Sequence, residues 1–352
     1  MPTAIKDHDI DGPRRPMGAD MGEQRQITFA QAIREGLQQA LRLSEDVFVF
    51  GQVVDNKSGI FQTTTGLQQE FSPKRVFDTP VAEGAMTGVA LGAALAGMRP
   101  VLVHQRLDFM LFSIDQIVNW GALWRYKANG KSGVPFTIRA VVGKGWGQGP
   151  QHSKSLQAWF AHVPGLRVAM PSTAFDAKGL LLESIFGADP TLYIEGRPLF
   201  SMKDSVPEEP YRVPFGKARV RRTGRDATII ALGYMVPMAL KAADSLASEG
   251  VDVEVIDLRT VAPLDEAAVL QSVEKTGRLV VADTAWQSFG VSAEVVARVA
   301  EKAFYHLKAP VARVALPDGH APTSSALEEL FYPKESDIRD AVRRVVSNGK
   351  RG

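Results

Sequence analysis

The chain has 352 residues and a formal net charge of +2, with 45% hydrophobic and 23% charged residues, a composition ordinary for a soluble globular protein of about two domains. Near-neutrality gives no reason to expect nucleic acid or an anionic membrane as partner. Cysteine is absent, which excludes disulfides, thiolate metal sites and a cysteine nucleophile, and no apolar run reaches the roughly 18 residues that span a bilayer.

Residues 1–25 are polar and aperiodic and read as a flexible N-terminal extension. No basic start precedes an apolar stretch there, so the cytoplasm is the expected location. Thr28-Phe-Ala-Gln31 fits a capping box and leads into an amphipathic helix to about Leu43. A short apolar strand, Val47 to Phe50, precedes a loop. A helix of small residues begins at Glu83 and runs into the strand Val101 to His104. Ile114 to Tyr126 reads as a helix and Phe136 to Val142 as a buried strand. Residues 143–155 form a glycine-rich loop; the strand Leu166 to Met170, the helix Phe175 to Phe186 and the strand Leu192 to Glu195 follow. This alternation predicts a mainly parallel sheet covered on both faces.

Residues 201–215 carry Pro207, Pro210 and Pro214 and read as a linker. A second alternating set then gives four strands, Ala227 to Leu232, Val251 to Leu258, Leu279 to Ala282 and Val311 to Ala315. Helices Met235 to Glu249, Leu264 to Lys275 and Val291 to Phe304 lie between them, and two more close the chain. The expected fold class is α/β, with two three-layer α/β/α domains.

Glu83 is the most informative position. It follows Thr79-Pro80 and opens a helix in which Gly84, Gly88 and Gly92 recur every four residues on one face. Glycine costs roughly 1 kcal/mol per residue inside a helix relative to alanine, so three on one stripe imply close approach of another backbone or a ligand. A carboxylate at such a mouth, with few charges around it, is expected to be partly desolvated and suits a proton relay against a flat heteroaromatic ring. The same residues would also make a capping glutamate on a tightly packed core helix, and spacing alone does not choose.

Other signatures are missing. Gly143-Lys-Gly-Trp-Gly-Gln-Gly149 matches neither the dinucleotide fingerprint nor the P-loop. No Gly-Asp-Gly followed by Asn occurs, so the Mg²⁺-diphosphate half of a thiamine site is not encoded. The six histidines show no metal-ligand spacing, and there is no Gly-x-Ser-x-Gly elbow.

The chain resembles the beta subunits of thiamine-diphosphate-dependent 2-oxoacid dehydrogenases, the first components of the pyruvate, branched-chain and acetoin systems. The resemblance covers about residues 26–346. It rests on Arg75-Val-Phe-Asp-Thr-Pro-Val-Ala-Glu83, Gly92-Ala-Ala-Leu-Ala-Gly-Met-Arg-Pro100 and Asp115-Gln-Ile-Val-Asn119. Gly149-Pro-Gln-His-Ser153, Phe160-Ala-His-Val-Pro-Gly165, Pro171-Ser-Thr-Ala-Phe-Asp-Ala-Lys-Gly179 and Val255-Ile-Asp-Leu-Arg-Thr260 extend it. It implies a transketolase-like pyrimidine-binding domain over 26–200, the linker 201–215, and a transketolase C-terminal domain over 216–346. It also implies an alpha subunit that supplies the diphosphate side of thiamine diphosphate with Mg²⁺, an α2β2 heterotetramer, a 2-oxoacid substrate and a lipoyl acyltransferase as acyl acceptor.

Carried over residue by residue, Glu83 is the cofactor-activating glutamate and His152 the active-site histidine that handles protons at the bound intermediate. Phe109 falls where an aromatic packs by the aminopyrimidine, and Gln105 falls on the active-site rim. A potassium ion would sit on the backbone of Val134, Phe136, Thr137, Ser184, Gly187 and Asp189, although Gly187 stands where some relatives carry Asp. Relatives commonly read Gly-Glu-Asp-Val where this chain reads Gly51-Gln-Val-Val54, which puts proton communication between paired sites in doubt. Arg106 and Trp146 point to a larger, more basic entrance, and the glycines of 143–155 to a loop that orders on binding. The other activity compatible with these residues is carbon–carbon ligation, as in a split transketolase-like or acyloin-forming enzyme without a lipoyl carrier.

Overall fold

The computed structural model describes residues 25–55, 61–145 and 147–348. The expected extension falls almost wholly outside the described residues, and so does Trp146. Two compact units emerge, one drawn from residues 1–141 and 163–215, the other from 142–162 and 216–352.

In chain order the elements begin with strand β1 (Gln26–Thr28), helix α1 (Phe29–Leu43), β2 (Val47–Gly51), α2 (Leu67–Phe71), β3 (Val76–Asp78), α3 (Glu83–Leu95) and β4 (Arg99–His104). A 3₁₀ turn over Phe109–Ser113 and a π-helical stretch over Asp115–Ala122 lead into α4 (Leu123–Lys127). Then come β5 (Thr137–Val142), α5 (Gln157–Ala161), β6 (Arg167–Ala169), α6 (Ala174–Phe186), β7 (Thr191–Gly196) and β8 (Lys203–Ser205). The second unit continues with β9 (Arg219–Arg222), β10 (Ala227–Ala231), α7 (Met235–Ala247), β11 (Val253–Asp257), β12 (Thr260–Ala262), α8 (Glu266–Thr276) and β13 (Leu279–Trp286). It closes with α9 (Val291–Lys302), β14 (Ala312–Leu316), α10 (Ser325–Phe331) and α11 (Glu335–Asn348).

The first unit's sheet runs β6-β7-β5-β4-β2-β3. β2 pairs in parallel with β3 and with β4, and β4 with β5. Val47 to Gly51 is buried throughout, as a strand covered on both faces must be. The capping box forms as expected: Gln31 N–H donates to Thr28 Oγ1 at 3.2 Å, and Thr28 N–H to Gln31 Oε1 at 2.8 Å. α1 lies on α6, where a Cβ on Gly36 would stand 3.3 Å from Leu181 Cδ2. The single helix expected over Ile114 to Tyr126 is instead π-helical for most of its length. Gly121 in that stretch faces the Phe136 ring, with no room for a Cβ.

Residues 201–215 are bound to the first unit. β8 pairs antiparallel with β1, and buried Lys178 Nζ donates to the carbonyls of Pro207, Glu208 and Glu209 at 2.7–3.0 Å. In the second unit the sheet order is β14-β13-β10-β11-β9. Four of these are the apolar strands read from the sequence. The fifth, β9, is Arg-Val-Arg-Arg, an antiparallel edge on β11 with no apolar alternation to betray it.

Candidate functional site

Glu83 occupies the first turn of α3, after Ala82, which offers no side-chain cap. The unsatisfied N–H groups and positive dipole end of the helix favour an anion there. Its carboxylate is half-buried and fixed at one oxygen, because Gln52 Nε2 donates to Glu83 Oε1 at 3.1 Å. Gln52 is itself held by its backbone, N–H to Val103 O at 3.0 Å. The chain enters this turn at Gly51, with φ +139°, where a Cβ would lie 2.2 Å from Val103 O. Only glycine allows β2 and β4 to meet there. Beyond it, Asp78 Oδ1 accepts from the N–H groups of Val54 and Asp55 and so ties the loop after β2 to β3.

The Phe109 turn is fastened to the same helix. Thr87 Oγ1 lies 2.9 Å from the Glu83 carbonyl and 2.8 Å from Ser113 Oγ, at the end of that turn. Phe112 O would stand 3.0 Å from a Cβ on Gly84, so Gly84 does serve close approach. Gly88 meets only Gln116 Cγ, at 4.0 Å, and Gly92 nothing within 4 Å. Two buried polar atoms nearby, Thr79 Oγ1 and Gln116 Oε1, have no hydrogen-bond partner among the described residues.

Glu83, Gln105 and Phe109 thus belong to one unit, at the C-terminal end of β4 and the mouth of α3. Gln105 lines a small cavity with Gln52, His104, Thr63, Arg139 and Glu195. Four of these, His104, Thr63, Arg139 and Glu195, were not anticipated as site residues. Arg139 Nε donates to Glu195 Oε1 at 2.6 Å with the two side chains 2% and 1% exposed. Burial pushes the Glu195 carboxyl up, while Arg139 opposes that. His104 is 2% exposed, and burial lowers it to about 4, against the pull of Glu83's charge, so it is neutral at pH 7. One signal could have exposed the pair: two opposite charges, Arg139 and Glu195, inside otherwise apolar strands. Arg106 turns away from its expected place at the entrance. It is 9% exposed, donates to Gln105 O at 2.8 Å and lies over the Phe61 ring at 5.1 Å, because burial of its stem wins over hydration.

His152 lies in the second unit, half-buried, in the segment that precedes α5. That segment is anchored at both ends. Gly145 N–H donates to Glu328 Oε1 at 2.6 Å, and Lys144 Nζ sits 5.0 Å from the Tyr332 ring centroid. After His152, Gln157 Nε2 donates to Asp283 Oδ1 at 3.0 Å and Ser155 Oγ lies 3.0 Å from Thr284 Oγ1. Burial pushes Asp283 up from the usual carboxylate range, opposed by the N–H groups of Ser292 and Ala285. Gly145, Gly147 and Gly149 take φ of +100°, +62° and +65°, so these glycines build a defined path.

Around the proposed potassium position the Phe136 carbonyl accepts from Thr191 N–H at 3.0 Å, and Arg99 Nη1 donates to Ile185 O and Gly187 O at 2.9 and 3.0 Å. Arg125 Nε pairs with Asp189 Oδ1. Thr137 Oγ1 is buried and has no partner among the described residues. Among those residues no group of three or more His, Cys, Asp or Glu could hold a metal ion, and no helix is long and apolar enough to cross a membrane.

Comparison with known proteins covers both units. A family model described as the transketolase pyrimidine binding domain matches residues 25–202, and the transketolase C-terminal domain matches 216–338. The pyruvate dehydrogenase E1 component subunit beta of Staphylococcus epidermidis is 45% identical over 90% of this chain and 98% of its own length. Its Bacillus subtilis counterpart is 43% identical over 91% and 99%. The beta subunit of an acetoin:2,6-dichlorophenolindophenol oxidoreductase from Cupriavidus necator is 40% identical over 93% and 99%. A solved structure described as a split gene transketolase, inactive beta4 tetramer, superposes with a TM-score of 0.76 over 92% of this chain and 99% of its own, at 22% identity.

Proposed function

We propose that this chain, which belongs to the transketolase-type family of E1 beta subunits, is the beta subunit of a thiamine-diphosphate-dependent 2-oxoacid dehydrogenase that decarboxylates its substrate and transfers the acyl group. The observation that carries this at the site is Glu83. One oxygen is fixed by Gln52 at 3.1 Å, and the second makes no hydrogen bond to the described residues. That leaves a half-buried acceptor at a helix mouth, which fits a protonated ring nitrogen. The unpartnered Thr79 and Gln116 oxygens nearby fit the same polar, planar guest.

When bound, thiamine diphosphate supplies a thiazolium carbon that becomes the nucleophile toward a carbonyl. Glu83 holds and returns a proton at its free oxygen, while Gln52 keeps the carboxylate from rotating away. Phe109 and Gln105 shape the surface beside it. His152 gives or takes a proton at the substrate-derived group, because an imidazole carries both a donor and an acceptor nitrogen. An alpha subunit supplies the Mg²⁺-diphosphate side in an α2β2 assembly, and a lipoyl acyltransferase takes the acyl group. A potassium ion would use the backbone of Val134, Phe136, Thr137, Ser184, Gly187 and Asp189, of which the Gly187 carbonyl also accepts from Arg99 Nη1 at 3.0 Å.

The test is co-expression with the alpha partner, followed by a screen of 2-oxoacids with an artificial electron acceptor and with aldehyde acceptors. Oxidation of a 2-oxoacid is expected; turnover only with aldehydes would make the enzyme a carbon–carbon ligase. In the active complex Glu83→Gln should lower turnover at least 10²-fold, the scale of acid–base contributions, and suppress deuterium exchange at the thiazolium carbon. His152→Ala should slow turnover on a similar scale with that exchange near normal. Wild-type exchange in Glu83→Gln would refute the assignment.

A further inference from the structure

Around Gln52, the residue that holds Glu83, the first unit buries polar groups that the proposed chemistry leaves unused. His104 is 2% exposed, and neither ring nitrogen has a hydrogen-bond partner among the described residues. Arg139 Nη1 and Glu195 Oε2, in the buried ion pair, likewise have no further partner among the described residues. All three side chains line one cavity with Gln52 and Gln105. Leaving a buried donor or acceptor unpaired costs about 1–3 kcal/mol each, so four such atoms on three residues that line one cavity call for an occupant.

The chemistry of the lining identifies it. Arg139 repels a cation and Glu195 repels an anion, each from within a pair that is neutral as a whole. The neutral imidazole offers one N–H and one lone pair. The occupant must therefore be uncharged and able both to donate and to accept. Size agrees: about 20 Å³ is open to the centres of water-sized molecules, enough to admit water. We propose that His104, Arg139 and Glu195 bind internal water, and that this water and Gln52 form a fixed, charge-neutral wall against which Glu83 is positioned. The second half rests on the reading of Glu83 given above; the water site does not.

A crystal structure of the assembled protein tests the site directly. Density for a water within hydrogen-bond distance of at least two of His104, Arg139 Nη1 and Glu195 Oε2 is expected. An empty cavity, an ion, or His104 paired to another protein group overturns the proposal. His104→Phe and His104→Gln, made in the same assembly and checked for folding by melting, test the positioning role. Phenylalanine removes both hydrogen-bonding atoms, and glutamine keeps a donor and an acceptor. Deuterium exchange at the thiazolium carbon should fall roughly tenfold in His104→Phe, the scale of one lost hydrogen bond, with cofactor affinity unchanged. In His104→Gln it should recover to within about twofold of wild type. Equal losses in both variants, or a fall in cofactor affinity that accounts for the loss, would remove the positioning role. If Glu83→Gln retains exchange, the role of Glu83 fails while the crystallographic water still decides the site.

Discussion

Glycine is used for opposite purposes in the two stretches that carry the proposed catalytic groups. In the loop before His152, Gly145, Gly147 and Gly149 alternate with other residues, and each takes a positive φ. Thr323 packs against the last two, with its Oγ1 2.6 Å from where a Cβ on Gly149 would be. In α3 the glycines recur every fourth residue with ordinary helical backbone, and contact fades along the stripe from Gly84 to Gly92. Alternate glycines permit a conformation; glycines one helical turn apart keep space clear.

The two regions should also part company in acid, and this is the largest stability difference expected. His104 is lowered from 6.5 to about 4 in the folded protein, so the unfolded chain binds its proton first. Stability is then full above about pH 6.5 and is lost as pH falls toward about 4, by about 3 kcal/mol at about 1.4 kcal/mol per pH unit. Asp283, in the second unit, has the opposite sign. Its folded-state affinity for a proton is raised, so protonation favours the folded form as pH falls. Thermal melts from pH 7 to pH 4, repeated on His104→Leu, should show the acid loss flattened in the variant. An unchanged slope would mean that His104 does not carry it.

Gly149→Ala comes next. It forces a non-glycine residue to φ +65° and sets a Cβ against Thr323, which should cost about 1–3 kcal/mol by denaturant unfolding. Pairing it with Thr323→Ala separates the two causes: relief of the contact alone should recover only part of the loss. Full recovery would show that the backbone angle is not what this loop requires of glycine.

Much of this organisation is legible in the sequence, for physical reasons. The buried parallel strands are apolar runs, and α1 announces itself through Thr28 and Gln31. Glu83 stands out because a lone carboxylate opens a helix of small residues. What escapes depends on partners far away in the chain. Gln52 reads as a missing acid, yet across 31 residues it fixes Glu83. His104 has no spacing to any ligand, and its character comes from strands that bury it. Arg106 reads as an exposed cation at the entrance, but its guanidinium finds a carbonyl and an aromatic face inside. The edge strand β9 is invisible because three of its four residues are arginine and no apolar alternation marks it.

Gly92→Ala carries the smallest effect and the sharpest question. Gly92 is exposed, in the second half of α3, with nothing within 4 Å of a Cβ built there. In the isolated chain the substitution meets no obstacle, and it removes the backbone freedom that glycine gives the unfolded state. It should therefore raise stability by up to about 1 kcal/mol. If the open stripe receives another subunit in the α2β2 assembly, the added methyl meets that subunit instead. Assembly with the alpha partner, followed by sedimentation, should then weaken although the isolated chain melts higher. Gly84→Ala serves as the internal contrast, because the carbonyl of Phe112 stands 3.0 Å from its Cβ position and loss of stability is expected without any partner. A Gly92→Ala variant that is both more stable and fully assembled would show that the stripe is not a contact surface, and that only its first glycine is needed by the fold.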